Sequence, residues 1–541
     1  MKKILLIISC FTFNLCLATE YFISTNGLDS NTGTELSPWK SLTHGITEIN
    51  PNDILTLREG VYRLIEEPSL NVINKDHLSI RGYAGERVQI FGSASTQGMV
   101  WQPYNATVWR IPADFLTNNP KGMFNNHLRV EHQSDLDDGR NHDFVYNLVM
   151  PNYWTKADVN GDQCFAGNNG CFIYLYPADG EDPNQQTYEL SQRSMARVAA
   201  NGDYMLIQNL EFYYTQSSAI FFEGADFVTL ENNIFGNTSN GNDNSYGIRI
   251  WNSQGSVVRN NTVFDSKYWG GVSNSKGITF MVSKAGAPNI VEYNEIYDIP
   301  GYSAVGSKSG VSNLIVRYNY IHDVYAAFRS SDFRCVWSSS NTDGCQSTDV
   351  EYRPGGNWQI YGNIVKNSTV GVSFPGYQQD SDGNLVYNNV FYQVKAAIEL
   401  GWNGSFNHVF ANNIFVNNEV GIYLESGGTT TSVTDYLGQF ISHNNLFFNN
   451  SHADIHLRPN WGGNFYSGTP YTVNQIKNQF NSENNSLSAD PLFANFTSFE
   501  LLENSPAIDA GDGGFWSEST VNIGAHPFTS LTDLIFVSGF E

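Results

Sequence analysis

A short phrase recurs between Ile207 and Phe448: two polar residues, usually Asn-Asn, are followed by apolar residues. Successive phrases begin 24, 28, 34, 25, 43, 26, 24 and 32 residues apart. A period near 25 with short apolar runs is typical of stacked repeats, in which each unit buries its apolar side against its neighbours. We find no 3.6-residue periodicity, which a helical solenoid would require. The repeat therefore predicts an all-β fold, a right-handed parallel β-helix.

The asparagines of the phrase predict how the coils stack. Asparagine tolerates the left-handed backbone of a tight turn, and its side chain can bond to equivalent turns above and below. We expect residues from about 50 to 475 to form stacked parallel strands. One apolar residue from each phrase should then form a single inward column, which consists of Ile234, Val263, Ile296, Ile321, Ile364, Val390, Ile414 and Leu446.

The chain divides into a leader, one long domain and a tail. Residues 1–18 have the charged start, apolar run and small residues of a signal peptide, which predicts a secreted protein. Residues 19–527 are predicted to form one parallel β-helix domain, with a capping helix around Ser41–Ile46. Two segments should be insertions: a loop-rich one at 122–184 and another at 332–356. Residues 528–541 form a short C-terminal tail, to which no role is assigned.

Four cysteines remain after the predicted signal peptide. In an exported protein their spacing predicts two small disulfides, Cys164–Cys171 and Cys335–Cys345, each closing a short loop. Their spacing does not suit a zinc site. Two acidic runs, at 135–139 and 158–162, leave open a calcium ion as cofactor. Neither run has the full spacing of a calcium-binding loop.

The formal charge of −24 limits the partners of the chain. An acidic surface argues against nucleic acid as the main partner. No apolar stretch of about 18 residues follows the leader, so no membrane span is expected. We expect a monomer whose partner is an acidic polysaccharide, and aromatic residues, which make up 14% of the chain, can stack on sugar rings.

A second short strand recurs in each repeat and opens with Gly or Ala followed by an aliphatic or aromatic residue, as in Gly247-Ile248-Arg249-Ile250-Trp251. Because strand side chains alternate, the third and fifth residues should face outward. Arg249, Lys308 and Arg329 are then predicted to share one outward face, with Lys284 just beyond its strand. In so acidic a chain, this cluster of cations predicts a groove for an anionic polymer.

Such a groove would suit β-elimination on a uronate. Once the sugar carboxylate is neutralised, a base can remove the neighbouring C5 proton and the 4-linked sugar departs. Lysine suits the base because nearby cations lower the pKa of its ammonium group. We predict Lys308 as the base and Arg329 as its catalytic partner. The predicted substrate-binding residues are Arg249, Lys284, Trp251, Asp332 and Tyr377.

Two resemblances accompany these predictions. The ends of the chain, Tyr21–Leu42 and Asp490–Ala525, resemble the opening and closing segments of secreted bacterial β-helix proteins. Val305-Gly306-Ser307-Lys308-Ser309, with Arg329 21 positions after the lysine, resembles the chondroitinase B and alginate lyase group. The resemblance implies Lys308 as base and Arg329 as acid or charge neutraliser. It departs at Gly301 and Ser303, where that group has two calcium-binding glutamates.

Two other functions remain open. A β-helical glycoside hydrolase needs two carboxylates beside the scissile bond. Its candidates are Asp332, Asp343, Asp349, Glu351, Asp380, Asp382 and Glu399. A non-catalytic, glycan-binding surface protein would be favoured by an outward face that lacks an organised ionisable cluster.

Overall fold

Three stacked parallel sheets form the body of the molecule in the computed structural model, and the chain supplies one strand to each sheet per coil. This arrangement is a parallel β-helix. The structure describes residues 18–66, 72–73, 75–132, 148, 150–160, 164, 170–178, 180–193, 197–198, 202–240, 244–268, 275–308, 310–330, 355–374, 381–401, 407–425, 437–438, 440–458 and 464–526.

We name the sheets in the order in which the chain enters them. Sheet 1 consists of Glu20–Ile23, Ile54–Leu57, Ser79–Gly82, Leu206–Gln208, Thr229–Glu231, Val257–Arg259, Asn289–Glu292, Leu314–Arg317, Gln359–Tyr361, Leu385–Tyr387, His408–Ala411 and Phe440–His443. Sheet 2 consists of Gly60–Arg63, Val88–Phe91, Glu211–Tyr213, Ile234–Gly236, Thr262–Phe264, Glu295–Ile299, Tyr320–Val324, Ile364–Lys366, Val390–Tyr392, Ile414–Val416, Leu446–Phe448 and Leu487–Ser488. Sheet 3 consists of Val72–Ile73, Arg197–Val198, Ser218–Glu223, Ser245–Ser253, Ser275–Ser283, Ser303–Lys308, Ala326–Arg329, Val370–Phe374, Ala396–Leu400, Val420–Glu425, Ala453–Arg458 and the antiparallel Thr469–Tyr471.

The asparagines of the repeat form a ladder at the turn between sheets 1 and 2, as predicted. Asn233, Asn261, Asn294, Asn319, Asn363, Asn389, Asn413 and Asn445 are its successive rungs. At a typical rung, the Asn363 amide donates to Asn389 Oδ1 over 3.0 Å and to Val316 O over 2.9 Å. The residue before the rung has the left-handed conformation, for example Asn388 with a φ of 53°. The ladder thus satisfies buried polar groups in each tight turn.

The predicted inward column of sheet 2 is partly wrong. Val263, Ile296 and Ile321 do lie in the main core, where they align with Phe235 and Val365. The other five predicted residues are displaced by one position and face outward. These five are Ile234, Ile364, Val390, Ile414 and Leu446.

The displacement has a physical reason. The outward residues of the later coils are apolar because Phe499, Ala507, Ile523 and Ala525 of the C-terminal segment pack on them. Polarity therefore did not distinguish the two faces. The inward positions carry stacked phenylalanines such as Phe391 and Phe415, whose ring centroids are 5.4 Å apart. Full burial of each such side chain contributes about 1.5–3 kcal/mol.

A helix closes the N-terminal end of the solenoid, which confirms the predicted cap. It spans Leu42–Glu48 and begins after Ser41, whose side chain accepts a hydrogen bond from the His44 amide. Leu42 and Gly45 are its buried residues, and Leu42 belongs to the main core. The helix therefore shields the apolar end of the first coil from water.

The first insertion differs from the loop-rich segment predicted at 122–184. It is an eight-stranded, mostly antiparallel sheet with a separate core that contains Trp101 and Trp154. Its strands, in order across the sheet, are Ser93–Ser95, Tyr188–Ser191, Met123–Asn125, Leu128–His132, Tyr153–Ala157, Phe172–Tyr176, Trp109–Pro112 and Gln102–Pro103. The predicted disulfide Cys164–Cys171 is present, with a Cα–Cα distance of 5.7 Å.

The C-terminal segment begins with a helix, Val473–Phe480, whose capping box is formed by Thr472 and Gln475. The remaining elements are small. They are the 3-10 helices Leu64–Glu66, Pro183–Gln185 and Gly513–Phe515, and the strand pairs Thr238–Asn240 with Ser266–Tyr268, Gly355–Gly356 with Ser381–Asp382, and Gly511–Asp512 with Thr520–Val521.

Several predictions fall outside the described residues. They are the signal peptide up to residue 17, the tail at 528–541, the Cys335–Cys345 disulfide, most of the insertion at 332–356, and the site residues Asp332 and Tyr377. Within the described residues, no helix has the length and apolar character needed to cross a membrane.

Candidate active site on the outward face of sheet 3

Sheet 3 places alternate side chains outward, as the sequence predicted. Ile248 and Ile250 lie in the core. Arg249 and Trp251, which alternate with them along the strand, therefore face outward. Strand pairing places nine residues of successive coils in one outward column. They are Phe221, Arg249, Thr279, Gly306, Arg329, Ser373, Glu399, Tyr423 and His456. We call this set the central column.

The cations of the earlier coils alternate with aromatic rings. The guanidinium carbon of Arg249 lies 4.4 Å from the ring centroid of Phe221 and 5.2 Å from that of Tyr246. Lys276 Nζ lies 5.3 Å from the Tyr246 ring and 4.6 Å from the Tyr302 ring. The guanidinium carbon of Arg329 lies 4.4 Å from the centroid of the same Tyr302 ring. We call this arrangement the cation–aromatic row.

The structure brings Lys308 and Arg329 onto neighbouring strands. Arg329 pairs with Gly306, and Lys308 is two residues farther along the same strand, so both side chains leave the same outward face half-buried. Arg329 Nε is buried, and no described residue accepts a hydrogen bond from it.

Lys284 takes a different direction from the other predicted cations. Its ammonium group donates to Gly224 O over 2.9 Å and to Asp226 Oδ1 over 2.7 Å. Both acceptors belong to an earlier coil, whereas Lys308 lies in the following coil. The structure therefore does not bring Lys284 together with Lys308. The strand that precedes Lys284 contributes a different cation, Lys276, to the row.

Glu399 lies two coils beyond Arg329 in the central column, with Ser373 between them. Burial raises the pKa of the Glu399 carboxyl, while Arg329, a hydrogen bond from Ser373 and the charge of Arg458 act in the opposite direction. A half-buried carboxyl with a raised pKa beside cations on an outward face is typical of a functional group.

Glu425 is a second carboxylate on this face. It lies on the neighbouring strand, two residues beyond Tyr423, the pairing partner of Glu399. Strand spacing and the rise per residue separate the two Cα atoms by about 8 Å. Burial raises the pKa of the Glu425 carboxyl; Arg458 opposes this effect and Glu399 adds to it. The two carboxyl groups therefore interact electrostatically.

Arg458 holds Glu425 in position. Arg458 Nη1 lies 2.9 Å from Glu425 Oε1 and donates to the Tyr423 hydroxyl over 3.0 Å. The Tyr423 ring stacks between His456 and Phe465, with centroid distances of 5.4 and 4.6 Å. Because Arg458 is fixed by two acceptors, it orients Glu425 rather than moving freely.

Sequence reasoning missed four residues of this face. Glu425 is the fifth residue of Gly421-Ile422-Tyr423-Leu424-Glu425, which has the pattern of the second short strand, so its position predicts an outward side chain. Tyr246 and Lys276 lie directly before Gly247 and Gly277, so they fall outside the strand pattern that opens with Gly or Ala. Arg458 occupies the outward position opposite Glu425, and this pairing follows only from the register.

Metal chemistry has no site in the described part of the chain. There, no group of three or more His, Cys, Asp or Glu side chains is arranged to hold a metal ion. Gly301 and Ser303, which replace the calcium-binding glutamates of the lyase group, are buried and have no carboxylate to offer.

Comparison with known proteins bears on the fold. A family model described as "Right handed beta helix region" matches residues 194–346. With the three parallel sheets, this decides the architecture. The chain has a right-handed parallel β-helix fold. No curated protein matches the chain.

Solved structures resemble the right-handed β-helix over most of its length. A complex of XylC with xylose is 14% identical, with a TM-score of 0.52 over 88% of this chain and 87% of that chain. A glycoside hydrolase is 11% identical, with a TM-score of 0.52 over 84% and 96% of the two chains. The pectate lyase Pel9A is 14% identical, with a TM-score of 0.43 over 94% and 97%. At these identities, the first two likenesses support the fold alone.

Proposed function

We propose that the protein is a secreted, monomeric enzyme that cleaves an acidic polysaccharide by hydrolysis at Glu399 and Glu425. The observation that carries this proposal is the pair of outward carboxyls with raised pKa values on neighbouring strands. Paired carboxylates perform acid–base work in glycoside hydrolysis, and a raised pKa keeps one of them protonated as the acid.

In this reaction Glu399 donates its proton to the glycosidic oxygen as the bond from that oxygen to the anomeric carbon breaks. Glu425 accepts a proton from the water that attacks the anomeric carbon. One product gains the proton and the other gains the hydroxyl of water. A carboxyl separation of about 6.5–9.5 Å leaves room for that water, as inverting enzymes require.

The outward cations of sheet 3 support an acidic substrate. Arg249, Lys308 and Arg329 are half-buried cations on the outward face of a chain whose net charge is −24. Their charges would attract sugar carboxylates. Trp251, which lies on the same face near Phe221, offers a ring for sugar stacking.

A second candidate is β-elimination at Lys308 and Arg329. Their placement on neighbouring strands of one outward face favours it, as does the resemblance of their segment to the chondroitinase B and alginate lyase group. Lys308 would then remove the C5 proton of a uronate, and Arg329 would neutralise its carboxylate or protonate the leaving oxygen. Arg249 and Trp251 keep their proposed role in substrate binding under both chemistries.

One assay tests cleavage and separates the two chemistries. The purified protein is incubated with polygalacturonate, alginate and chondroitin sulfate, and both reducing ends and ultraviolet absorbance are followed. Hydrolysis produces reducing ends without an absorbing product, whereas elimination produces both, because it leaves an unsaturated sugar. If no polymer yields new reducing ends, the proposed cleavage of these acidic polysaccharides is wrong.

A further inference from the structure

A polar groove of about 730 Å³ lies at the turns that lead from sheet 2 into sheet 3. Three successive coils form its floor with the segments Asn367–Thr369, Gln393–Lys395 and Asn417–Glu419. Tyr466 also lines the groove. The strands that carry Ser373, Glu399 and Tyr423 begin directly after these turns. The groove is thus adjacent to the candidate active site. Phe465 contacts both, because its ring stacks on Tyr423 and lies 4.6 Å from Lys395 Nζ.

The backbone explains why amides collect here. One residue per coil at this corner has a left-handed conformation, with φ values of 49° at Asn367, 55° at Gln393 and 56° at Asn417. Asparagine is among the few residues other than glycine that accept this conformation readily. Stacking of the coils therefore places amide side chains above one another along the floor of the groove.

The equivalent positions of the three coils directly before the groove carry carboxylates instead. The left-handed residues there are Asp265, Asp298 and Asp323, with φ values of 44°, 53° and 53°. The corner thus changes from acidic to uncharged at the coil where the groove begins. The uncharged amides at the left-handed positions of the floor can donate to and accept from the hydroxyl groups of a ligand.

The side chains of the groove have capacity for a ligand. The side-chain amides of Asn367 and Gln393 and the hydroxyl of Thr369 are exposed, and in the described residues none of them has a hydrogen-bond partner. The charged residues are already engaged: Lys395 lies 4.6 Å from the Phe465 ring, and Glu419 accepts from the Tyr466 hydroxyl. Tyr466 is 51% exposed and contacts His452 edge-on, so its ring presents apolar surface to the groove.

We propose that this groove binds an uncharged sugar residue, with the Tyr466 ring against its apolar face and the amides of Asn367 and Gln393 on its hydroxyl groups. The proposal goes beyond the cleavage chemistry and does not depend on it. A substrate that occupies both regions would carry acidic sugars along the central column and a neutral sugar at the turns.

Binding of neutral oligosaccharides tests the groove. Calorimetric titrations with xylohexaose, cellohexaose and mannohexaose are run on the full chain and on Tyr466→Ala, Tyr466→Phe and Tyr204→Ala. At least one hexasaccharide should bind saturably to the unmodified protein. Tyr466→Ala should weaken that binding by about tenfold, which corresponds to about 1.4 kcal/mol, because the stacking ring is lost. Tyr466→Phe keeps the ring and should bind nearly normally.

Tyr204 provides the matched control, because it is also 51% exposed and lies at a different turn, stacked on His77 and Phe227. Tyr204→Ala should bind as the unmodified protein does. The proposal is overturned if none of the three hexasaccharides binds, or if Tyr466→Ala binds as tightly as the unmodified protein. Repeating the titration on Glu399→Gln separates the proposals: retained binding supports the groove whatever happens to cleavage.

Discussion

Arg329 and Glu399 lie in one outward column of sheet 3, two coils apart, and the guanidinium charge opposes the rise that burial causes in the pKa of the carboxyl. The residue that resembles a lyase arginine is thus electrostatically coupled to a candidate hydrolase acid. A substrate carboxylate bound at Arg329 would neutralise part of the guanidinium charge that lowers the pKa of Glu399. The proton on Glu399 would then be held more firmly while acidic substrate is bound.

Replacing Glu399 with glutamine should abolish most activity without unfolding the protein. The amide keeps the shape of the side chain and can still bond to Ser373, but it cannot donate a proton to the leaving oxygen. We expect kcat/KM to fall by about 100-fold or more, the usual scale for a lost proton-transfer group. Glu231→Gln, at the outward face of sheet 1, is the control and should stay active. A Glu399→Gln enzyme with normal turnover would exclude Glu399 as the acid.

The pH profile should have an alkaline limb set by Glu399. Because burial raises the pKa of this carboxyl above its ordinary value of 4.5, the protonated form persists to higher pH than in water. Activity should be present below the raised pKa and fall as pH increases through it. The measurement is kcat/KM against pH for the unmodified protein and Glu399→Gln. The residual activity of the variant should lack this limb, and an unchanged limb would point to another group.

Lys308→Ala distinguishes binding from base catalysis. The side chain faces outward, so we expect the free energy of unfolding to change by no more than about 0.5 kcal/mol. If Lys308 only attracts the substrate carboxylate, KM for an acidic polymer should rise while kcat stays nearly constant. If kcat instead falls by about 100-fold, and the unmodified protein forms the absorbing product, Lys308 is the base of an eliminase. Lys40→Ala, at an exposed lysine, serves as the control.

Removing one rung of the asparagine ladder should destabilise the solenoid. Asn363 Oδ1 accepts from the Asn319 backbone N–H over 3.0 Å, and its amide donates to Val316 O, Tyr361 O and Asn389 Oδ1. Asn363→Ala leaves these buried groups unpaired, and each unpaired group lowers the free energy of unfolding by about 1–3 kcal/mol. Thermal unfolding should therefore begin several degrees lower than in Asn26→Ala, an exposed control. Equal melting temperatures would show that water replaces the rung.

Glu483 should make stability depend on pH. This buried glutamate accepts from Asn445 and Ser486 at the C-terminal end of the ladder, and burial raises the pKa of its carboxyl from the ordinary value of 4.5 against those hydrogen bonds. When the pKa of a group is raised in the folded state, its contribution to stability is fully present below the pKa of the unfolded state. That contribution is lost as pH rises through the pKa of the folded state. Denaturant unfolding from about pH 5 to pH 8 should show a smaller decline in Glu483→Gln than in the exposed control Glu503→Gln.

The sequence predicted sheet 3 better than sheet 2 for a definite reason. Around Arg249 and Arg329 the outward residues are polar and their neighbours apolar, so alternation identified the face correctly. At Val390 and Ile414 both faces are apolar, because the C-terminal segment covers the outer one. A contact with a segment about 100 residues away leaves no signal in the local pattern.

The sequence predicted the cations of the candidate site and included Glu399 among its candidate carboxylates, but it did not indicate Glu425. Alignment placed Arg249, Lys308 and Arg329 outward, since each occupies the third or fifth position of its strand. The pairing of Lys284 with Asp226, 58 residues away, depends on the direction of one long side chain. The raised pKa of Glu425 depends on its burial and on Glu399. Neither property follows from spacing along the chain.

The corner between sheets 2 and 3 also bears on how such a solenoid can evolve. Aspartate and asparagine have nearly the same shape, and both accept the left-handed backbone found at Asp323 and Asn367. Exchange between them alters local charge by one unit while the coil keeps its path. A lineage could therefore retune the ligand preference of this edge one coil at a time, without passing through misfolded intermediates.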